Sequence, residues 1–321
     1  MNLCRTVNEL ATQKKPFIVV ISYDMSNFEV VTLDNAAKKN IFYEINNKSN
    51  YIGQKRNFPD NFIFRLSAVD YSQYMQAYNI VYENLMYGNS YLTNLTFPTP
   101  IDTNLSLEEI FNFVKAPYKI LYKNEFVCFS PEPFIIIKDN IISSYPMKGT
   151  INADIENAEK KIINDYKETA EHNTIVDLIR NDLNMVSENV RVEKFRYVER
   201  INTNREALLQ VSSKICGDLK SNWYEHLGDI LLKILPAGSV TGAPKEKTLE
   251  IINKSEPYKR GWYTGIFGLF DGTNFNSATI IRYIEKKEGK MFFKSGGGIT
   301  VNSNPENEYN EMISKVYVPF D

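Results

Sequence analysis

At 321 residues and 37.1 kDa, with 43% hydrophobic and 24% charged residues, the chain has the composition of a globular protein able to bury a large core. Thirty-seven Lys and Arg against 39 Asp and Glu leave a formal net charge of −2, which excludes the basic footprint of a nucleic-acid binder. Two histidines, His172 and His226, and three scattered cysteines, Cys4, Cys128 and Cys216, argue against a His-based triad, a zinc site or a disulfide framework.

The opening stretch, MNLCRTVNELATQKKPF, lacks the continuous apolar core of a signal peptide. No run approaches the roughly 18 apolar residues of a membrane span, so a cytoplasmic protein with no membrane partner is expected. In chain order, PFIVVISYDM, FEVVTL and NFIFRL in the first 65 residues read as strands, antiparallel and partly at an edge. Residues 70–88 read as a helix closing at Gly88, 90–97 as a strand, and 106–115 as a short helix opened by Ser106 as N-cap. A strand-rich meander over 118–149 precedes a long helical region at 153–184. Helices at 222–235 and in EKTLEIINKS flank PAGSVTGAPK. The C-terminal part returns to strands, GWYTGIFGLFDG, NSATIIRYIEKK and KMFFKSGGGITV, before a helix from Asn304. Strand blocks and helix blocks are segregated, which favours an α+β layered fold, and nothing marks a boundary, so 1–321 reads as one domain with 1–65 loosely assigned.

With histidine scarce, an acid, base or nucleophile is expected from Glu, Lys or Tyr. In NPENEYNEMISKV, Asn304 as cap and Pro305 at the first helical position start a helix whose apolar stripe is Tyr309, Met312 and Val316. Glu308, Glu311 and Lys315 border that stripe, although acidic residues in a first turn also suit the helix dipole. Glu168 and Glu171 repeat the E-x-x-E spacing on another helix, and four such carboxylates suit a hard divalent cation. GSVTGAPK fails the phosphate-loop spacing, which rules out that mode of nucleotide binding. SGGGIT offers backbone N–H groups unshielded by side chains, suited to a carboxylate, or else a tight turn. Arg282, among apolar strand residues in TIIRY, needs an anion: a ligand carboxylate or an internal Glu. Lys148, in YPMKGT (145–150), taken alone is most simply a solvated charge.

Together, YGNSYLTNLTF, FSPEPF, YPMKGT, EHNTIVDLIRNDL, SVTGAPKEKTLEIINKSEPYKRGWYTGIFG, SATIIRY and GGGITVNSNPENEYNEMISK resemble, in order, the chorismate-utilising enzymes. That family includes the first components of anthranilate synthase and aminodeoxychorismate synthase. The resemblance implies layered antiparallel sheets forming a sandwich core with helices outside. It implies Mg²⁺ held by Glu171 and Glu311, with Glu168 and Glu308 completing the acidic site. Tyr263, Arg282, Thr241 and Gly296, Gly297 and Gly298 match positions that hold the carboxylates of chorismate, and Lys315 matches a lysine of the same site. Lys148 stands where anthranilate- and salicylate-forming relatives carry alanine and aminodeoxychorismate synthases carry a nucleophilic lysine. Glu132 of SPEPF matches the proposed acid/base. The expected reaction is amination of chorismate by ammonia, with anthranilate synthesis or a non-catalytic chorismate-binding subunit as alternatives. Departures are Leu92, where the family usually has glutamine and water-adding relatives a lysine base, and Gln210, where it usually has histidine. No tryptophan site is expected. A glutamine-hydrolysing part is not readable either, so ammonia is expected from solution or a separate glutamine amidotransferase subunit.

Overall fold

The computed structural model describes residues 2–53, 58–202 and 207–320, excepting the side chains of Lys148, Thr150, Lys167, Ile201 and Asn202. Two large antiparallel sheets dominate it. The first runs, edge to edge, Met147–Asn152, Ala207–Asp218, Ile141–Ser144, Pro133–Lys138, Phe275–Thr279, Ile266–Phe270, Phe17–Ile21 and Phe28–Thr32, with Glu188–Asn202 also paired to Ala207–Asp218. The second runs Gly242–Ala243, Leu92–Thr103, Lys290–Ile299, Tyr283–Lys287, Phe126–Ser130, Tyr118–Tyr122, Ile41–Ile45 and Lys48–Ser49, with Phe64–Leu66 on the Leu92–Thr103 strand.

Strand alternation builds the layers. In Phe17–Ile21 every residue is buried, but Phe17, Val19 and Ile21 join one core while Ile18 and Val20 join another. The second sheet does the same: Phe126 and Cys128 face the inner core, Val127 and Phe129 an outer one. The inner core lies between the sheets. On the far side of the first sheet pack the helices Leu3–Thr12, Tyr166–Asn184 and Leu227–Ile234. On the far side of the second pack Leu107–Phe113, and the pair Tyr71–Met86 and Lys245–Ser255. The result is helix, sheet, sheet, helix, an α+β sandwich as the sequence led one to expect.

Some local expectations change. Leu3–Thr12 is a helix, capped by Asn2, whose buried stripe of Leu3, Val7 and Ala11 is too thin to stand out in the sequence. Of the three early strands, Phe17–Ile21 is interior to its sheet, whereas Phe28–Thr32 and Phe64–Leu66 are edges, as expected. The region 153–184 is two helices, Ala158–Asn164 and Tyr166–Asn184, broken at extended Asp165, whose side chain accepts from Glu168 N–H. NSATIIRYIEKK is two strands in different sheets. The long hairpin Glu188–Asn202/Ala207–Asp218 has no counterpart in the sequence reading, because three register shifts and its charged residues blur the alternation.

Candidate active site

At two places a short link carries the chain directly from a strand of one sheet to a strand of the other, and these two crossings lie side by side. Residues 130–133 join a strand of the second sheet to one of the first; residues 279–283 return. Phe129 N–H donates to Arg282 C=O (3.0 Å) and Thr279 N–H to Glu132 C=O (3.3 Å), locking the crossings together. They put Glu132 and Arg282 on a cleft of about 760 Å³. Arg282 therefore stands between strands, in the left-handed region at φ +52°, rather than within one. Its guanidinium donates to Lys315 C=O (3.0 Å) and lies 4.7 Å from the Tyr317 ring centroid.

The glycine run is strand, not turn. Gly296, Gly297 and Gly298 pair with Thr96, Leu95 and Asn94, whereas the other neighbour of this strand ends at the pair Tyr283–Lys294. In an antiparallel ladder, N–H and C=O of one residue point the same way and alternate along the strand. Thr96 N–H goes to Glu256, Asn94 N–H to Thr241 C=O and Asn94 C=O accepts from Arg260, so Thr96 and Asn94 face away from the glycines. It follows that Gly296 and Gly298 turn their backbone groups to the open side. Gly296 C=O there accepts from the Lys315 ammonium at 2.9 Å.

Two helices bring carboxylates to this opening. Tyr166–Asn184 supplies Glu168 and buried Glu171; Pro305–Ser314, capped by Asn304 with Pro305 in its first turn, supplies buried Glu308 and exposed Glu311. A Cβ built on Gly297 would lie 3.5 Å from a Glu308 oxygen, 3.9 Å from a Glu311 oxygen and 4.0 Å from Lys315 Nζ. Lys315 pairs with Glu311 at 2.7 Å. Among the described residues no three acidic, histidine or cysteine side chains form a ready-made metal cluster. The donors are nonetheless carboxylate oxygens without thiolate or imidazole, the set that suits Mg²⁺.

Of the residues singled out in the sequence, Glu132, Glu168, Glu171, Tyr263, Arg282, Gly296, Gly297, Gly298, Glu308, Glu311 and Lys315 all line this cleft. Burial pushes the Tyr263 phenol up, so it stays a neutral donor. Thr241 is not among the lining residues: its buried hydroxyl is shared between Ala237 C=O (2.9 Å) and Gly238 C=O (3.3 Å), one residue behind Val240, which does line it. The Lys148 side chain lies outside the described residues. Its backbone pairs with Val211 at a bulge, where Gly149 takes φ +79°, and Met147 and Gly149 on either side line the cleft. A Cβ on Gly149 would come 3.3 Å from a Glu168 oxygen. Gln210 lines the cleft too.

Sequence reasoning passed over Asn94, Lys294 and Tyr317 on the wall. Lys294 is buried, pairs with Glu285 at 2.9 Å and donates to Arg260 C=O at 3.0 Å. Burial pulls its ammonium down while Glu285 pushes back. A lysine in an otherwise apolar strand was the available signal.

The cleft at the seam of this α+β sandwich thus brings together two acidic helices and a strand of open N–H groups. The chain belongs to the chorismate binding enzymes, whose sequence model matches residues 8–321. It is 48% identical to an "uncharacterized PabA-like protein" of Haemophilus influenzae over 98% of this chain and 95% of that one. It is 31% identical to aminodeoxychorismate synthase component 1 of Bacillus subtilis, over 76% of this chain and 54% of that one. The fold matches the menaquinone-specific isochorismate synthase of Escherichia coli at a TM-score of 0.72 and 16% identity, over 97% of this chain and 79% of that one. Among the described residues no helix is long and apolar enough to cross a membrane.

Proposed function

We propose that this chain is an aminodeoxychorismate synthase component I, converting chorismate and ammonia to 4-amino-4-deoxychorismate and water on the way to p-aminobenzoate and folate. The observation that carries it is the position of Lys148. Its backbone sits at a bulge whose neighbours line the same cleft as Glu132, Arg282 and the acidic helices. The Bacillus subtilis relative supports the same reading.

A lysine with the ordinary pKa of about 10.4 is almost wholly protonated at neutral pH, so a nucleophilic role requires a desolvating site. Uncharged Lys148 adds to ring carbon 2 as the 4-hydroxyl departs, and Glu132 gives that oxygen its proton. Ammonia then adds at carbon 4 and the Lys148–carbon bond breaks, returning the electron pair to the amine. The N–H groups of Gly296 and Gly298, Arg282, Tyr263 and Lys315 hold the two carboxylates of chorismate, and Thr241 is assigned to the same task through the loop it stiffens.

Charge balance favours a cation. Among the described side chains, five carboxylates line the cleft, Glu132, Glu168, Glu171, Glu308 and Glu311, against Arg282, Lys315 and the already paired Lys294. A dianion entering there meets like charge. Glu171 and Glu311 would hold Mg²⁺, with Glu168 and Glu308 beside them; when bound it neutralises this excess and anchors the ring carboxylate. Ammonia comes from solution or a separate glutamine amidotransferase subunit. Intact-protein mass spectrometry with chorismate and Mg²⁺ but no ammonia tests the reading: an adduct on Lys148 is expected. Release of anthranilate and pyruvate on adding ammonium would replace it with the anthranilate synthase reading.

A further inference from the structure

Behind the glycine strand lies a buried ion pair that the reaction does not use. Arg260 and Glu256 meet at 2.6 Å with side chains 1% and 2% exposed. A buried pair of this kind is weak evidence for stability, since apolar residues of the same volume often serve as well or better. What an apolar pair cannot supply is five donors fixed in a plane. All five are used. Nε and one Nη2–H bind the Glu256 carboxylate; the other Nη2–H goes to Asn94 C=O at 2.7 Å; Nη1 donates to Val240 C=O at 2.8 Å and to Thr264 Oγ1 at 3.3 Å. Asn94, Val240 and Thr264 come from three separate segments, and each lines the cleft. Glu256 meanwhile accepts from Thr96 N–H and Oγ1–H at 2.9 and 2.7 Å.

We infer that Arg260, with Glu256, is a positioning residue for chorismate binding: it fixes the spacing of three cleft walls and the direction of the glycine N–H groups. The register explains the second part. Thr96 and Asn94 stand opposite Gly296 and Gly298 in the register, with their own backbone groups turned away from the glycines. By holding the outward groups of Thr96 and Asn94, the pair keeps that strand from rotating, so the N–H groups of Gly296 and Gly298 stay aimed into the cleft. The Tyr23 ring, 4.6 Å from the guanidinium carbon, packs against the guanidinium and limits its movement. This inference rests on the cleft being where chorismate binds and is independent of what then happens to the ring.

The test is calorimetric titration of the full chain with chorismate and Mg²⁺, without ammonia, beside thermal unfolding. Arg260→Lys keeps a charge opposite Glu256 but offers three donors in place of a planar five. Chorismate affinity is expected to fall at least tenfold in protein that still unfolds cooperatively. Glu256→Gln keeps the shape and an acceptor for Thr96, and is expected to lose about threefold to tenfold. In steady state the loss appears in KM for chorismate and not in KM for ammonium, a split that general destabilisation does not produce. Folded Arg260→Lys with affinity within twofold of wild type overturns the inference; if that variant does not fold, Glu256→Gln with wild-type affinity does so. Wild-type protein that binds chorismate without aminating it refutes the proposed reaction while these titrations still decide the role of Arg260.

Discussion

Replacing Gly296 by alanine tests the glycine strand directly. A Cβ there would lie 2.3 Å from the Leu95 carbonyl oxygen, 2.5 Å from Thr96 Cγ2 and 2.8 Å from Thr96 Cα. A carbon approaches a carbonyl oxygen in neighbouring strands to about 3.3–3.6 Å, so the strands must part by roughly 1 Å. That breaks the two hydrogen bonds of the Gly297–Leu95 pair, worth about 1 kcal/mol each, and adds overpacking of about 1–3 kcal/mol. A loss of about 3–5 kcal/mol lowers the thermal midpoint by roughly 6–20 °C on the scale of 150–250-residue chains, and by somewhat less in a longer one. Gly297→Ala is the control, because its Cβ meets nothing closer than 3.5 Å. Its stability should stay level or rise by up to about 1 kcal/mol through the unfolded state. Scanning calorimetry reads both, and chorismate titration of Gly296→Ala should show weakened binding as the N–H groups move. If Gly296→Ala melts with wild type, or Gly297→Ala falls as far, the assigned register and its role are wrong.

Lys148→Ala should still bind chorismate and Mg²⁺ but form no adduct and turn over at background; near-normal turnover would reject the covalent route. Glu132→Gln should cut turnover by about 10²–10⁴-fold, the range for a positioned acid/base, and an unchanged rate would remove it from that role. For Glu311→Gln, the Mg²⁺ concentration giving half-maximal activity should rise, whereas an unaltered Mg²⁺ response would discard it as a ligand. Tyr317→Ala should weaken chorismate binding about two- to fivefold, from about 0.5–1 kcal/mol of exposed cation–π contact with Arg282, and Tyr317→Phe should restore it. Burial first, and Asp229 second, push the Cys4 thiol up to about 11, and burial likewise raises Cys128 and Cys216. A raised pKa keeps a thiol protonated and unreactive below it. At pH 8 brief iodoacetamide treatment should leave native protein unlabelled and denatured protein labelled three times, as read by mass.

Much of this was legible in the sequence where the signal was local. The cap and proline of NPENEY placed the last helix, and Ser106 as N-cap placed the start of Leu107–Phe113. The E-x-x-E pairs gave two acidic helix faces, but spacing along a helix cannot say that two helices far apart in the chain share a cleft. Arg282 was marked as a cation needing a partner; that it sits at a break between sheets was hidden, because TIIRY continues the apolar run on both sides. Arg260 and Glu256 carry no signal in the sequence beyond opposite charges four residues apart. Only the fold buries them, by laying Tyr258, Thr96 and Tyr23 over them.

Several of the groups assigned to chemistry share one structural circumstance: they stand where regular hydrogen bonding stops. Glu132 and Arg282 lie on adjacent crossings between the sheets, Lys148 at a bulge, Gly296 and Gly298 beyond the end of a neighbouring strand, and Lys315 at the C-cap of its helix. At such points backbone donors are unclaimed by the ladder, and side chains leave the core without displacing it. Left unsupported, these endings would also be loose. The seam is held by bonded charges behind the wall: Arg260 with Glu256, and Lys245, which joins Asp182 of the long helix to Ile234 C=O. Rigid charge one layer out thus permits open polar groups one layer in, and the orientation of the cleft follows from pairs that never touch the ligand.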